Sequence, residues 1–164
     1  MKIRQAKHSD FNRIADIHIE SWRNSYLNVL PSDFFGEKIV HTLKQHWSKV
    51  EIQDGDVVLV AEEKEIIGFI AVWCRPTPFI DNLHVKPSQR SRNVGTALMR
   101  AAAEELVKNG NSTGFLWVFN SNVYAIRFYE NLGGVQKELD IKEIFGHDVI
   151  SRKMEWNDIS TIIK

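Results

Sequence analysis

The chain has 164 residues, of which 43% are hydrophobic, and this is enough for one globular domain over residues 1–164 with a sizeable core. Its 21 Lys and Arg residues balance its 21 Asp and Glu residues, and the zero net charge argues against nucleic acid or an anionic membrane as a partner. The single cysteine, Cys74, excludes an internal disulfide and a cysteine metal cluster. The sequence shows no signal peptide and no apolar run of membrane-spanning length. Together these features predict a cytoplasmic protein.

The first half of the chain predicts both strands and helices. Strand-like runs lie at residues 3–6, 57–62, 66–73 and 79–85. Apolar residues repeat at helical spacing after Ser9, which is a suitable N-cap, and a second helical stretch runs from Pro31 to about Trp47. The charged turn Glu63-Lys64-Glu65 joins the second and third strands and indicates a β-hairpin.

The second half predicts two more helices and three more strands. The helices are predicted at residues 94–108 and 122–134, and the strands at residues 114–119, 135–139 and 149–156. Asn122 is the predicted N-cap of the last helix, and a turn near Gly146 joins the last two strands. The segment Leu116–Phe119 is apolar at every position, which indicates a strand buried on both faces. This order of elements predicts an α/β fold in which helices flank a mixed central sheet.

Four basic residues and no acid lie between Asn82 and Ala103, although charge is balanced over the whole chain. Within this window a strand ends, a basic loop follows, and a helix begins at Val94. The first turn of a helix carries N–H groups without intrahelical partners, so such a junction binds phosphates, and Arg90 and Arg92 supply further donors. The Gly-rich patterns of dinucleotide-binding and P-loop proteins are absent. An ordinary solvated loop is the alternative interpretation.

Two segments resemble a known family. Val85-x-Pro87, a short basic spacer and Arg90-Ser91-Arg92-Asn93-Val94-Gly95 resemble the acetyl-coenzyme A loop of the GNAT superfamily of N-acetyltransferases. Asn93 stands where the family pattern has its first glycine, and asparagine tolerates the positive φ that such a turn needs. The segment from Asn122 to Gly134 is similar to the superfamily's N-x-x-A-x-x-F-Y-x-x-x-G pattern.

The resemblance implies where acetyl-CoA binds. In the family, the strands that correspond to residues 79–85 and 114–119 are parallel and splay apart, and the pantetheine arm lies in the gap. Leu83 and Val85 would hold the arm through backbone groups, and Asn122 would contact it from the other side. The pyrophosphate would lie on the loop residues Arg90, Ser91, Arg92, Asn93, Val94, Gly95 and Thr96. As alternatives, Leu83 and Val85 are ordinary residues of a buried strand, and Asn122 is simply an N-cap.

The resemblance also implies direct attack of an amine on the acetyl thioester, with proton transfer at both ends. Tyr129 corresponds to the family's tyrosine acid and would protonate the departing CoA thiolate, whereas its alternative role is packing against the sheet. Strand alternation places Asp81 on the same side as Leu83 and Val85, which makes it the candidate base, with a solvated carboxylate as the alternative. His84 points to the opposite face and is the weaker candidate.

Trp22 and Tyr26 end the first predicted helix. The resemblance implies that they line the acceptor site, because GNAT members place acceptor-lining residues there, and core packing is the alternative role of Trp22. We therefore predict an enzyme that transfers the acetyl group of acetyl-CoA to a primary amine in a ternary complex, with a small molecule as the favoured acceptor. A protein or peptide N-acetyltransferase and a non-catalytic acyl-CoA-binding module are the alternatives. The oligomeric state is left open, with a homodimer as one option.

Overall fold

The computed structural model describes residues 1–164, which form seven β-strands and four α-helices. The strands are β1 Lys2–Gln5, β2 Val57–Glu62, β3 Ile66–Cys74, β4 Pro78–Val85, β5 Gly114–Phe119, β6 Val135–Ile144 and β7 His147–Trp156. The helices are α1 Phe11–Ser25, α2 Glu37–Ser48, α3 Val94–Lys108 and α4 Val123–Asn131. Short 3₁₀ turns lie at His8–Asp10, Ser32–Phe35, Pro87–Gln89 and Ile159–Ile163. No helix combines the length and the apolar character needed to cross a membrane.

All seven strands belong to one sheet, in the order β1-β2-β3-β4-β5-β7-β6. Neighbouring strands are antiparallel throughout, except that β4 and β5 are parallel. These two strands pair at Phe79 and Phe115 and diverge beyond that point. The mixed sheet, the flanking helices and the splayed parallel pair that the sequence predicts are confirmed.

Helices cover both faces of the sheet. On one face, α3 and the C-terminal 3₁₀ turn pack over a large buried cluster that includes Leu98, Leu116 and Trp156. On the other face, α1 and α2 pack over a second cluster that includes Ile14 and Trp47. Burial of apolar surface, at roughly 25 cal/mol per Å², is the main stabilising contribution in both layers. The diverging ends of β4 and β5 therefore open between two well-packed layers.

The terminal hairpin is longer than the strands at residues 135–139 and 149–156 that the sequence predicts. β6 and β7 continue to Ile144 and from His147, and the turn consists of Phe145 and Gly146. Both turn residues have a positive φ, 49° and 83°, as in the two-residue turns that join hairpin strands. β6 is an edge strand whose residues are mostly exposed, so no apolar alternation marks its full length.

The first two helices begin later than the sequence predicts. Ser9 is not the N-cap of α1, because it lies inside a 3₁₀ turn in which the Lys7 N–H donates to the Asp10 carboxylate at 2.7 Å. Pro31 is followed by a second 3₁₀ turn, and α2 begins at Glu37. The helical periodicity was therefore a better guide to these elements than the capping residues were.

Candidate active site

A cavity of about 580 Å³ opens where β4 and β5 diverge. Residues 79–84 of β4 and 115–119 of β5 line it. Along β5, Leu116 and Val118 are buried in the core. The alternate residues Phe115, Trp117 and Phe119 are only half-buried. The prediction that β5 is buried on both faces was wrong, because one of its two apolar faces borders the cavity.

The loop between β4 and α3 has the backbone geometry of an anion site. Ser91 and Asn93 adopt positive φ values of 64° and 63°, and α3 begins at Val94. The side chain of Asn93 makes no cap hydrogen bond, and the first turn of α3 contains no acid. The N–H groups of this turn are therefore open to a ligand, at the positive end of a helix of 15 residues. The positive φ expected at Asn93 is confirmed.

The two arginine side chains of this loop are engaged by the protein. Arg90 donates to Asn24 Oδ1 at 2.6 Å and to Ser21 Oγ at 3.1 Å, which ties the loop to the end of α1. Arg92 donates to Glu63 at 2.9 Å. A guanidinium has five N–H donors, so these contacts leave donors on both arginines. The backbone N–H groups of Val94 and its neighbours are nevertheless the more open part of the loop.

Gly95 borders the gap between β4 and α4. A Cβ atom at this position would lie 3.5 Å from the Phe128 ring and 4.0 Å from Val85. Leu83 and Val85 pack against the α3 cluster, and after Phe79 their strand has no partner on the β5 side. The loop, the open strand edge and the cavity are thus continuous.

Asn122 and two tyrosines form the opposite wall. Asn122 Oδ1 accepts the Ala125 N–H at 3.2 Å, which confirms the predicted N-cap, and its Nδ2 donates to Tyr26 Oη at 3.4 Å. Tyr129 lines the cavity, and its hydroxyl has no protein partner and is not sealed from open space. Burial raises the pKa of Tyr129, and the neighbouring Tyr26 raises it further. Tyr129 therefore keeps its proton at neutral pH.

Asp81 does not lie on the side that strand alternation predicts. Ala71 of β3 pairs with Asn82 and Val72 pairs with Ile80, so Asp81 is the extra residue of a β-bulge. Its carboxylate accepts the Trp73 indole N–H at 2.9 Å, and Trp73 packs with the α1 layer. The placement of Asp81 beside Leu83 and Val85 was therefore wrong, because those side chains pack in the α3 layer. Asp81 still lines the cavity, as an exposed side chain.

Two stacked histidines also line the cavity; the sequence made His84 only the weaker candidate base and did not select His18. His84 faces away from Leu83, as alternation predicts, and its ring stacks on His18 with centroids 4.6 Å apart. The Nδ1 atom of His84 lies 2.9 Å from Ser21 Oγ, and Trp47 Nε1 donates to His18 Nδ1 at 3.0 Å. Burial, with a smaller contribution from Arg90, lowers the pKa of His84 to about 3. Burial also lowers the pKa of His18.

An aromatic wall surrounds the predicted acceptor side. The Trp22 ring packs edge-on against Tyr26 at 5.0 Å and against Phe119 at 5.7 Å. The hairpin tip adds Phe145, whose ring centroid is 5.4 Å from that of Trp22. The same tip brings Lys142 and Glu143 to the cavity lining. The sequence missed this contribution because β6 was predicted to end at residue 139.

The lowered pKa values of His18 and His84 predict a stability that falls in mild acid. Both histidines are neutral in the folded protein, whereas in the unfolded chain they bind protons near pH 6.5. Below that pH the unfolded state binds more protons, so the free energy of unfolding should fall by up to about 1.4 kcal/mol per pH unit for each histidine. Urea unfolding between pH 7.5 and pH 4.5 measures this slope. In His84→Asn the slope should be roughly half as steep, and an unchanged slope would contradict the assignment.

Comparison with known proteins identifies the family. The family model described as "Acetyltransferase (GNAT) family" matches residues 11–134, which is more than half of the chain. This chain belongs to the GNAT family. The relationship predicted from the loop and from the Asn122–Gly134 segment is therefore confirmed.

GNAT relatives match nearly the whole chain. The uncharacterized N-acetyltransferase YuaI of Bacillus subtilis is 25% identical over 166 residues, which cover 98% of this chain and 95% of YuaI. A GCN5-related N-acetyltransferase from Rhodopseudomonas palustris has a TM-score of 0.78 at 21% identity, with 94% of this chain and 93% of that chain covered.

Two further structural neighbours carry more specific names. The PaiA N-acetyltransferase from Thermoplasma acidophilum, solved in complex with coenzyme A, has a TM-score of 0.65 at 20% identity, with 92% of this chain and 96% of that chain covered. The ribosomal-protein-alanine N-acetyltransferase from Brucella melitensis has a TM-score of 0.69 at 18% identity, with 95% of this chain and 99% of that chain covered. At these identities the neighbours establish the shared fold.

As a GNAT enzyme, the protein is an N-acetyltransferase with acetyl-CoA as co-substrate. The residues present fit that molecule. The uncapped start of α3 offers N–H groups to a pyrophosphate, and the unpaired edge of β4 offers backbone groups to a pantetheine arm. Gly95 lies between these two parts and adds no side chain of its own beside Val85 and Phe128.

Proposed function

We propose that this enzyme acetylates the primary amine of a small molecule, by direct attack on acetyl-CoA in a ternary complex. The cavity between β4 and β5 carries this proposal. Its volume of about 580 Å³ and its lining, 15 hydrophobic residues out of 22, have the form of a small-ligand site with few orienting polar groups. Trp22 and Tyr26 contribute the aromatic wall of the acceptor side.

In this proposal the cofactor is held by the residues that the GNAT resemblance selects. The loop Arg90–Thr96 binds the pyrophosphate, chiefly through backbone N–H groups. The backbone of Leu83 and Val85 binds the pantetheine arm on one side, and Asn122 contacts it on the other. Asn122 can fill this role while it caps α4, because its Nδ2 makes a single long contact at 3.4 Å.

Direct transfer requires an acid for the leaving thiolate and no enzyme nucleophile. Tyr129 supplies the proton, because its hydroxyl is protonated, faces the cavity and has no competing partner in the protein. The single cysteine, Cys74, lies outside the cavity lining, and burial raises the pKa of its thiol. A thiol that stays protonated is a poor nucleophile, which disfavours an acetyl-cysteine intermediate.

A protein N-terminus is the alternative acceptor, since one structural neighbour is a ribosomal-protein-alanine N-acetyltransferase. A peptide would need a groove between α1 and the terminal hairpin. Phe145 at the hairpin tip packs against both Trp22 and Phe34, with centroid distances of 5.4 Å in each case. This contact joins the hairpin tip to the α1 side, where a peptide groove would have to open, and it favours the smaller acceptor.

Competition separates the two acceptors. Alkylamines, arylalkylamines, polyamines and amino acids are assayed against N-terminal peptides at equal concentration, with free CoA thiol as the readout. We expect at least one small amine to exceed every peptide in kcat/KM. Peptides that exceed all small amines by a large factor would overturn the small-acceptor proposal, and acetyl-CoA binding without any amine-dependent thiol release would indicate a non-catalytic module.

A further inference from the structure

Two side chains of β4 present polar atoms to the cavity without protein partners. Asn82 is 7% exposed, and its side-chain amide makes no hydrogen bond with the protein. His84 is bonded through Nδ1, whereas its Nε2 has no partner and is not sealed from open space. Both residues follow the bulge and are two apart on a regularly paired segment, so they share a face. Polar atoms that line a cavity and have no protein partner are free to bond with a ligand.

The His84 ring is held on two sides. Ser21, which is 3% exposed, bonds to its Nδ1 at 2.9 Å, and His18 stacks on its face. His18 accepts the Trp47 indole N–H at Nδ1, so the proton of neutral His18 is on Nε2. The ring against which His84 packs therefore has a fixed tautomer and stays uncharged at neutral pH.

Ser21 also connects His84 to the cofactor loop. Arg90 donates to Ser21 Oγ at 3.1 Å, which occupies one acceptor site of the hydroxyl. A hydroxyl oxygen has a second acceptor site, and this one can accept a hydrogen bond from the Nδ1–H of His84. In that tautomer the lone pair of His84 lies on Nε2, which is the atom open to the cavity.

We propose that His84 accepts the amine proton during acetyl transfer and that Ser21 is the residue that positions it. This inference rests on the proposed function. The amine nitrogen bonds to the thioester carbon. As the C–S bond then breaks, the nitrogen loses its proton to His84 Nε2 and Tyr129 protonates the departing sulfur. His84 then releases its proton to water and Tyr129 regains one, so both residues return to their starting states. Asn82 orients the amine by accepting a second N–H.

The electrostatics of the cavity suit this role. A base with a pKa of about 3 is uncharged at neutral pH and too weak to deprotonate an ammonium. It accepts the proton as the C–S bond breaks, when the nitrogen acquires the high acidity of an N-protonated amide. Charged groups also surround the cavity: Arg90 from the loop, Asp81 on β4, and Lys142 and Glu143 on β6. The other titratable groups that line it are His18, His46, Tyr26 and Tyr129. The amine must therefore enter uncharged, and kcat/KM should rise with pH up to the pKa of the acceptor itself.

Asp81 is the competing candidate base, and its hydrogen bonding and its exposure to water differ from those of His84. Its carboxylate already accepts the Trp73 indole N–H, and its side chain is exposed to water. His84 is better shielded and has a free acceptor atom. Asp81→Asn and His84→Ala therefore distinguish the two assignments on the same strand.

Chemical rescue tests the inference. We expect His84→Ala to lose about 10²-fold in kcat, to retain CoA binding, and to regain turnover when imidazole is added. His41→Ala, an exposed histidine on α2, is the matched control and should keep wild-type turnover without any response to imidazole. Wild-type turnover in His84→Ala, or a loss that imidazole does not restore, would overturn the inference. If the wild-type enzyme releases no CoA with any amine, the proposed function fails instead.

The positioning role of Ser21 has a separate readout. Ser21→Ala should lower kcat by roughly 10-fold with little change in KM, and Ser21→Thr, which keeps the hydroxyl, should restore most of it. Nitrogen NMR of the His84 ring should show the proton on Nδ1 in wild type. A proton on Nε2 in the CoA complex would contradict the proposal, because that tautomer has no acceptor facing the cavity.

Discussion

Replacing Tyr129 with Phe is expected to lower kcat by about 10²-fold or more while CoA affinity stays unchanged. The substitution removes one hydroxyl that makes no hydrogen bond with the protein, so the fold should not depend on it. Burial raises the Tyr129 pKa, so the residue is a proton donor throughout the neutral range. Steady-state kinetics and CoA titration on the same preparation separate the chemical step from binding.

A second tyrosine on α4 provides the control for this experiment. Tyr124 is 88% exposed and does not line the cavity, so Tyr124→Phe should behave as wild type in both assays. If Tyr129→Phe also turned over at the wild-type rate, the thiolate would leave without this acid, and the assignment of Tyr129 would be wrong.

Replacing Gly95 with Val is expected to abolish measurable CoA binding and to leave the fold intact. In the free protein a Cβ at this position meets Phe128 and Val85 at ordinary van der Waals distances, so the added carbons extend into the gap between β4 and α4. The same gap receives the cofactor in the proposed binding mode. A ligand that binds the folded state raises Tm with concentration, so thermal shifts with CoA measure the loss directly.

The size of the substituent should set the size of this effect. Gly95→Ala should weaken CoA binding less than Gly95→Val, and it should keep or raise Tm without ligand, because alanine favours a helix more than glycine does. Glu104→Val places the same β-branched side chain on an exposed part of α3 and should bind CoA normally. An unchanged CoA affinity in Gly95→Val would remove the loop from the cofactor site.

Local sequence signals were sufficient to predict the elements that form the proposed cofactor site. The basic loop, the helix start at Val94 and the N-cap at Asn122 are short-range features, and the structure contains each of them. Even the departure at Asn93 followed a local rule, since asparagine accepts the φ of 63° that the turn needs.

The predicted acceptor side depends on pairing between strands and on contacts between residues far apart in sequence, which local sequence patterns do not predict. The bulge at Asp81 is set by the register of β4 against β3, and it reverses the face that simple alternation assigns. The stack of the His18 and His84 rings joins residues 66 positions apart. Phe145 lies in the turn of the terminal hairpin, and its position follows from the full length of β6, an exposed edge strand. The single-domain organisation, the cytoplasmic location and a homodimer stay predictions.

The initial rate of CoA thiol release, measured while acetyl-CoA and the best small amine are varied together, tests direct acetyl transfer most directly. Attack within a ternary complex predicts amine-dependent release and double-reciprocal lines that intersect. Parallel lines would indicate an acetyl-enzyme intermediate, for which Cys74 is poorly placed outside the cavity lining, and they would contradict the mechanism. Thiol release that does not depend on any amine would contradict the transferase assignment itself.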